Sequence, residues 1–136
     1  MTLTPAEQEL VEAAQRARAN AYAPYSRFAV GAAVRTTDGR IFAGCNIENA
    51  SYGLSICAER VAVFQAVAEG ARTIDAVAVV TENGATPCGA CRQVLLEFAH
   101  DPTRCSIIIA TPEAVLARYT LAELLPQAFR LVSPAD

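Results

Sequence analysis

A chain of 136 residues, 53% of them hydrophobic, is long enough to close one core, and a single domain over residues 1–136 is expected. Net charge is −3 and the basic residues are all arginines scattered singly, which argues against a nucleic-acid partner, since phosphate binding uses a basic cluster or stripe. No apolar run approaches ~18 residues, and Met1-Thr2-Leu3-Thr4-Pro5 lacks the basic and apolar regions of a secretion signal, so no membrane partner and a cytoplasmic location are expected.

Thr4-Pro5-Ala6-Glu7 combines a capping box with proline at the first helical position. It predicts a helix to about Ala21, with Leu10, Val11, Ala14, Ala17 and Ala21 on one face. Ala23-Pro24-Tyr25-Ser26 breaks that helix. Phe28 to Thr36 reads as a strand, Asp38-Gly39 as a hairpin turn, and Ile41 to Asn46 as the returning strand. A loop from Ile47 to about Ser55 leads to a helix from about Cys57 to Glu69, ended by Gly70. Ala76 to Val80 is a strand too apolar to face water on either side. Thr86-Pro87 opens a helix to about Ala99, Ser106 to Ala110 is a second buried strand, and Leu121 to Leu125 a short helix stopped by Pro126. The order α-β-β-α-β-α-β-α predicts an α/β fold, a mixed sheet with helices packed on it.

Five cysteines, an odd number, do not suggest a disulfide framework. Three of them stand in a pattern that carries chemistry: Cys57-Ala58-Glu59 and, further on, Pro87-Cys88-Gly89-Ala90-Cys91. Three sulfur ligands leave a tetrahedral zinc an open fourth position for water, and Glu59 supplies a carboxylate to move protons there. Cys45 and Cys105 lie among strand-like apolar residues and read as small hydrophobes.

Cys88 and Cys91 share one face of a first helical turn, with Thr86 as N-cap and Pro87 as first helical residue. Both sulfurs then sit at the positive end of a helix dipole, which favours the thiolate. Cys57 lies at another helix start, with Ser55 as its cap. Residues two apart lie roughly 200° apart around a regular helix, so Glu59 can join Cys57 only if Cys57 sits at the very edge. Arg60 and Arg92 are candidates to hydrogen-bond sulfur and drain the excess negative charge of three thiolates. The alternatives are surface arginines, and a structural zinc knot serving an interaction domain, with Cys45 or His100 as fourth ligand. On pattern alone Phe28 is core, and Asn46 and Glu48 are turn polar groups, although a carboxylate beside an amide also suits a ribose diol.

Several stretches resemble the small homotetrameric cytidine deaminases: Tyr25-Ser26-Arg27-Phe28-Ala29-Val30-Gly31-Ala32-Ala33, Asn46-Ile47-Glu48-Asn49-Ala50-Ser51-Tyr52, Ile56-Cys57-Ala58-Glu59-Arg60, Pro87-Cys88-Gly89-Ala90-Cys91-Arg92-Gln93 and Leu124-Leu125-Pro126-Gln127-Ala128-Phe129. They span nearly the full length in the family's order. The resemblance implies a three-layer α/β/α fold with a mixed five-stranded sheet. It implies one Zn²⁺ per subunit on Cys57, Cys88 and Cys91, with Glu59 as proton shuttle and Arg60 on the ligand sulfurs. Phe28 would pack on the pyrimidine, Asn46 and Glu48 would bind the sugar hydroxyls, and Ala58 would line the substrate site. Ala50, Tyr52 and Phe129 would reach an adjacent subunit's pocket, so that the homotetramer shares its active sites. The implied reaction is hydrolysis of cytidine and 2′-deoxycytidine to uridine and 2′-deoxyuridine with release of ammonia, a step of pyrimidine salvage. A deaminase of aminoglycosyl-nucleoside antibiotics would be expected to lack the Asn46–Ala50 stretch, and one acting on nucleic-acid bases would want a basic groove.

Overall fold

In the computed structural model, which describes residues 1–131, the elements follow in the order α1 (Pro5–Arg18), β1 (Gly31–Thr36), β2 (Ile41–Cys45), α2 (Ala58–Ala68), β3 (Ile74–Val80), α3 (Gly89–Phe98), β4 (Ser106–Ala110), β5 (Val115–Thr120) and α4 (Leu121–Leu124). The last five positions of the domain expected over 1–136 lie outside the described residues. One mixed sheet has the order β2-β1-β3-β4-β5. Its one parallel pair is β3 with β4, and the other neighbours run antiparallel.

The two parallel strands are apolar throughout because both of their faces are covered. Successive side chains alternate between the faces. Val77, Val79, Ile107 and Ile109 join Val63, Leu95 and Leu96 of α2 and α3 in one core. Ala78, Val80, Ile108 and Ala110 join Leu10, Ala13 and Ala14 of α1 in the other. The result is three layers, α1 on one face and α2 with α3 on the other, around a five-stranded mixed sheet. Two glycines allow the close approach. A Cβ on Gly31 would lie 2.0 Å from the Ala14 carbonyl oxygen, and one on Gly44 2.7 Å from the Ala62 nitrogen.

Several boundaries differ from the sequence reading. The first helix ends at Arg18 rather than Ala21, because the Tyr22 backbone bonds to Asn46 and Glu48 instead. Its buried residues are Leu10, Ala13 and Ala14, while Val11 and Ala17 are half-buried. The strand expected from Phe28 begins only at Gly31, since the Asn46 side-chain amide occupies the Val30 N–H and the Phe28 carbonyl, at 2.9 and 2.7 Å. Neither metal helix has the predicted cap. The N-cap of α2 is Cys57 rather than Ser55, and that of α3 is Cys88 rather than Thr86. The residue pattern gives no strand over Val115–Thr120, where the structure has β5. It is an edge strand in which Leu116 and Arg118 are exposed and no position is fully buried, so it carries no buried apolar run. The fifth strand was implied by the family resemblance alone.

Candidate active site

Cys57 and Cys88 each occupy the N-cap position of a helix, in extended conformation, and neither side chain caps the helix it precedes. The sulfurs are therefore free to turn toward each other. Cys91, in the first turn of α3, completes the group. The Cys57 and Cys88 sulfurs are 3.9 Å apart and those of Cys88 and Cys91 3.5 Å, with all three within 4.8 Å of one another. A tetrahedral zinc with bonds of about 2.3 Å spaces its sulfurs by about 3.8 Å, so the trio fits the ion. Among the described residues this is the one such cluster, and Cys45 and His100 are not in it. His100 lines a separate cavity with Asp75, Asp101 and Arg104, which removes the proposed fourth ligand of a structural knot.

Two helix N-termini aimed at the sulfurs favour negative charge there. Cys57 is pushed down to about 5, chiefly by the hydrogen bond from Cys91, against a desolvation penalty and with further help from Arg60. Cys91, which gives that bond and is buried, is pushed well up from the ordinary thiol value. A bound metal ion reverses the second effect, because it takes each cysteine as thiolate. The Arg60 guanidinium donates from Nη2 to the Cys57 sulfur at 3.2 Å, as expected. Its Nε is buried without a partner.

Arg92 does something else. It donates to the Pro87 carbonyl at 2.7 Å, the Leu124 carbonyl at 2.6 Å and the Thr86 hydroxyl at 2.9 Å. The expectation that it bonds sulfur is corrected: its fork ties the start of α3 to the end of α4.

Since Cys57 is the N-cap, Glu59 stands in the first turn of α2 beside the cluster rather than on the opposite side of a regular helix. It is 5% exposed. Burial, seconded by the Cys57 charge, pushes its carboxyl up to about 7. Glu59, Cys57 and Cys88 line a cavity of about 500 Å³, within the size range of small-molecule sites.

The opposite wall carries Phe28, Asn46 and Glu48, with Ala58 also in the lining. Phe28 is half-buried in the wall, not in the core as its pattern suggested. The Asn46 amide braces the Phe28–Val30 backbone through the two bonds described above. Glu48, 7% exposed, accepts from the Tyr25 and Ser26 backbone N–H groups at 3.0 and 3.1 Å and from the Ser26 hydroxyl. These donors, the hydroxyl foremost, hold its carboxyl below the usual range. Ser26 lines the same cavity, and nothing in the sequence pattern singled it out from other turn serines.

Tyr52, expected in a neighbour's pocket, lines the cavity of its own chain and is 60% exposed. Ala50 and Phe129 are exposed and stand outside that lining.

A sequence profile of the cytidine and deoxycytidylate deaminase zinc-binding region matches residues 4–107. A cytidine deaminase of Halalkalibacterium halodurans is 48% identical over 124 residues, covering 90% of this chain and 92% of the relative. One of Sporosarcina psychrophila is 45% identical over 124 residues, covering 90% of each. The crystal structure of cytidine deaminase from Burkholderia pseudomallei superposes with a TM-score of 0.85 at 48% identity, covering 93% of this chain and all of that one. Matched by this profile over residues 4–107 and by these relatives over about nine-tenths of its length, the chain belongs to the cytidine and deoxycytidylate deaminase zinc-binding family.

Proposed function

We propose that this chain is a zinc-dependent hydrolase converting cytidine and 2′-deoxycytidine to the corresponding uridines with release of ammonia. The observation that carries the reading is Glu59, a buried carboxyl beside sulfurs at zinc spacing on the wall of a ligand-sized cavity. When bound by Cys57, Cys88 and Cys91, zinc supplies an open coordination position and lowers the pKa of water there.

The chain's own residues do the rest. Glu59 accepts a proton from the attacking water on a carboxylate oxygen and delivers it to ring N3. It then takes the remaining proton from the C4 hydroxyl and passes it to the departing amine, so that C4=O forms as the C4–N bond breaks and ammonia leaves. Burial raises this carboxyl above the ordinary carboxylate range, which makes it a stronger proton acceptor than an exposed glutamate. Phe28 packs on the pyrimidine, Ala58 closes the site beside Glu59, and Asn46 with Glu48 receives the sugar hydroxyls. Asn46 keeps one amide hydrogen and one lone pair for this after bracing the backbone.

The lining favours a nucleoside over a nucleotide or a polymer. Among the described residues its one cation, Arg60, faces Cys57, and its two carboxylates, Glu48 and Glu59, repel phosphate. The Asn46–Ala50 stretch, expected to be missing from a deaminase of nucleoside antibiotics, is present.

We place the protein in the cytoplasm as one domain, where reducing conditions keep the three ligand thiols available. No helix among the described residues is long and apolar enough to cross a membrane. Assembly as a homotetramer is supported by the exposed Tyr22, Tyr25, Ile47, Tyr52, Leu54 and Phe129, a burden of apolar surface that an interface would cover. In that assembly Ala50, Tyr52 and Phe129 contribute to an adjacent subunit's pocket.

The test is ammonia release by wild-type and Glu59→Gln protein, each assayed for bound zinc. The variant is expected to keep its metal and lose at least ~100-fold in kcat. Near-full turnover would remove Glu59 from the chemistry. On the wild type, CMP turned over as fast as cytidine would overturn the nucleoside assignment.

A further inference from the structure

We infer that Ser26 is a positioning residue of the nucleoside site, its hydroxyl linking the Glu48 carboxylate to the backbone that carries Phe28. This deepens the proposed function and rests on reading Glu48 as the sugar-binding carboxylate.

The hydroxyl of Ser26 has one hydrogen to give and lone pairs to accept. The hydrogen goes to Oε2 of Glu48, and a lone pair takes the Phe28 N–H at 3.1 Å. That second bond depends on a sharp local turn. Arg27, between the two residues, has φ of 58°, the left-handed region that a residue with a side chain enters at a cost. The Arg27 N–H bonds back to the Ala23 carbonyl at 2.9 Å, which closes the turn. Three consecutive residues are thus folded around one hydroxyl.

The consequence lies at Glu48. Its Oε1 receives both backbone N–H groups, at 3.0 and 3.1 Å, and two donors fill a carboxylate oxygen's two lone pairs. Oε2 takes the Ser26 hydroxyl as its one close donor, and the Tyr52 hydroxyl also acts on the carboxylate. The serine therefore decides which oxygen is left for a ligand and where it points. Through the Phe28 nitrogen the same atom sets the distance between that oxygen and the aromatic wall. All three residues line the cavity. If Ser26 were merely an ordinary turn serine stabilising its own loop, its removal would affect every substrate alike.

The discriminating measurement is kcat/KM of the zinc-loaded enzyme for cytidine and for 2′,3′-dideoxycytidine, which lacks the 2′ and 3′ hydroxyls. The wild type is expected to prefer cytidine. Ser26→Ala should lower that preference about tenfold, and Ser26→Thr, which keeps the hydroxyl, should restore most of it. Ser26→Cys, similar in size but a weak donor, gives the same reading if the alanine variant does not fold. Glu48→Gln is the reference. If it lowers the preference while Ser26→Ala and Ser26→Cys do not, the positioning role is overturned and the reading of Glu48 stands. If Glu48→Gln leaves the preference unchanged, both fall. Equal losses on the two substrates, or a threonine variant no better than alanine, also overturn the positioning role.

Discussion

Cys57 and Glu59 are two positions apart, a separation that would set them on opposite sides of a regular helix. They meet because Cys57 is an N-cap residue with extended backbone and Glu59 lies in the turn that follows. The same device recurs at Cys88, so each ligand helix begins at a sulfur where a serine or threonine would ordinarily cap it. Arg60 then matters out of proportion to its exposure. It donates to Cys57 and brings one positive charge to a cluster that carries three negative ones with metal bound. Replacing Arg60 by alanine should weaken zinc retention by about 10- to 100-fold in competition with a chelator, and lysine should restore only part, because it lacks the planar fork. Unchanged retention in the alanine variant would show that the arginine does not support the metal.

At the scale of elements, the decisive contacts lie between segments that are remote in the chain. The Asn46–Glu48 segment holds the Tyr22–Val30 turn through Asn46 and Glu48 on one side. On the other it pairs with Ile56 through Ile47 bonds of 3.0 and 2.9 Å. One short stretch thus places the aromatic wall and the start of α2. Arg92 does the corresponding work for α3, fastening its first turn to the carbonyl of Leu124. Gln93 continues the attachment by donating to the Phe129 carbonyl at 3.0 Å. Arg92→Ala leaves three acceptors without their donor and should destabilise the fold by about 3 kcal/mol in chemical denaturation. Proteolysis after Leu124 should also accelerate. A variant as stable and as resistant as wild type would mean that the fork is dispensable.

At the scale of the whole molecule, acid should act on carboxylates whose folded-state pKa is depressed. Glu7 is lowered chiefly by the Thr4 backbone N–H and then by Arg118, the link between the start of α1 and β5, and Glu48 chiefly by Ser26. A depressed group stabilises the fold fully above its unfolded value of 4.5, and that contribution is lost as pH falls through the folded value. Metal-free wild-type protein should therefore lose thermal midpoint below pH 4.5 more steeply than Glu7→Gln. Parallel curves would refute the assignment. Assembly supplies another test: if Phe129, 69% exposed, serves a neighbouring site, dilution to monomer should abolish activity together with mass. Full activity in a proven monomer would contradict the shared site.

Features whose signal is local were legible in the order of residues alone. The capping box at Thr4 and Glu7 forms as read, and the apolar run Ser106–Ala110 is a strand over those same residues. The spacing of Cys57, Cys88 and Cys91 identified a metal cluster, because thiols in that pattern have few other uses in a reduced chain. Features that depend on a partner far along the chain were settled by folding. It made Arg92 an anchor rather than a sulfur donor, left Phe28 out of the β-sheet, and engaged Glu48 with a turn more than twenty residues away. It also formed β5, a strand with no buried apolar run that is held in the sheet by pairing with β4. Hydrogen-bonding groups and charges take the partner that the fold presents, and residue type alone does not specify that partner.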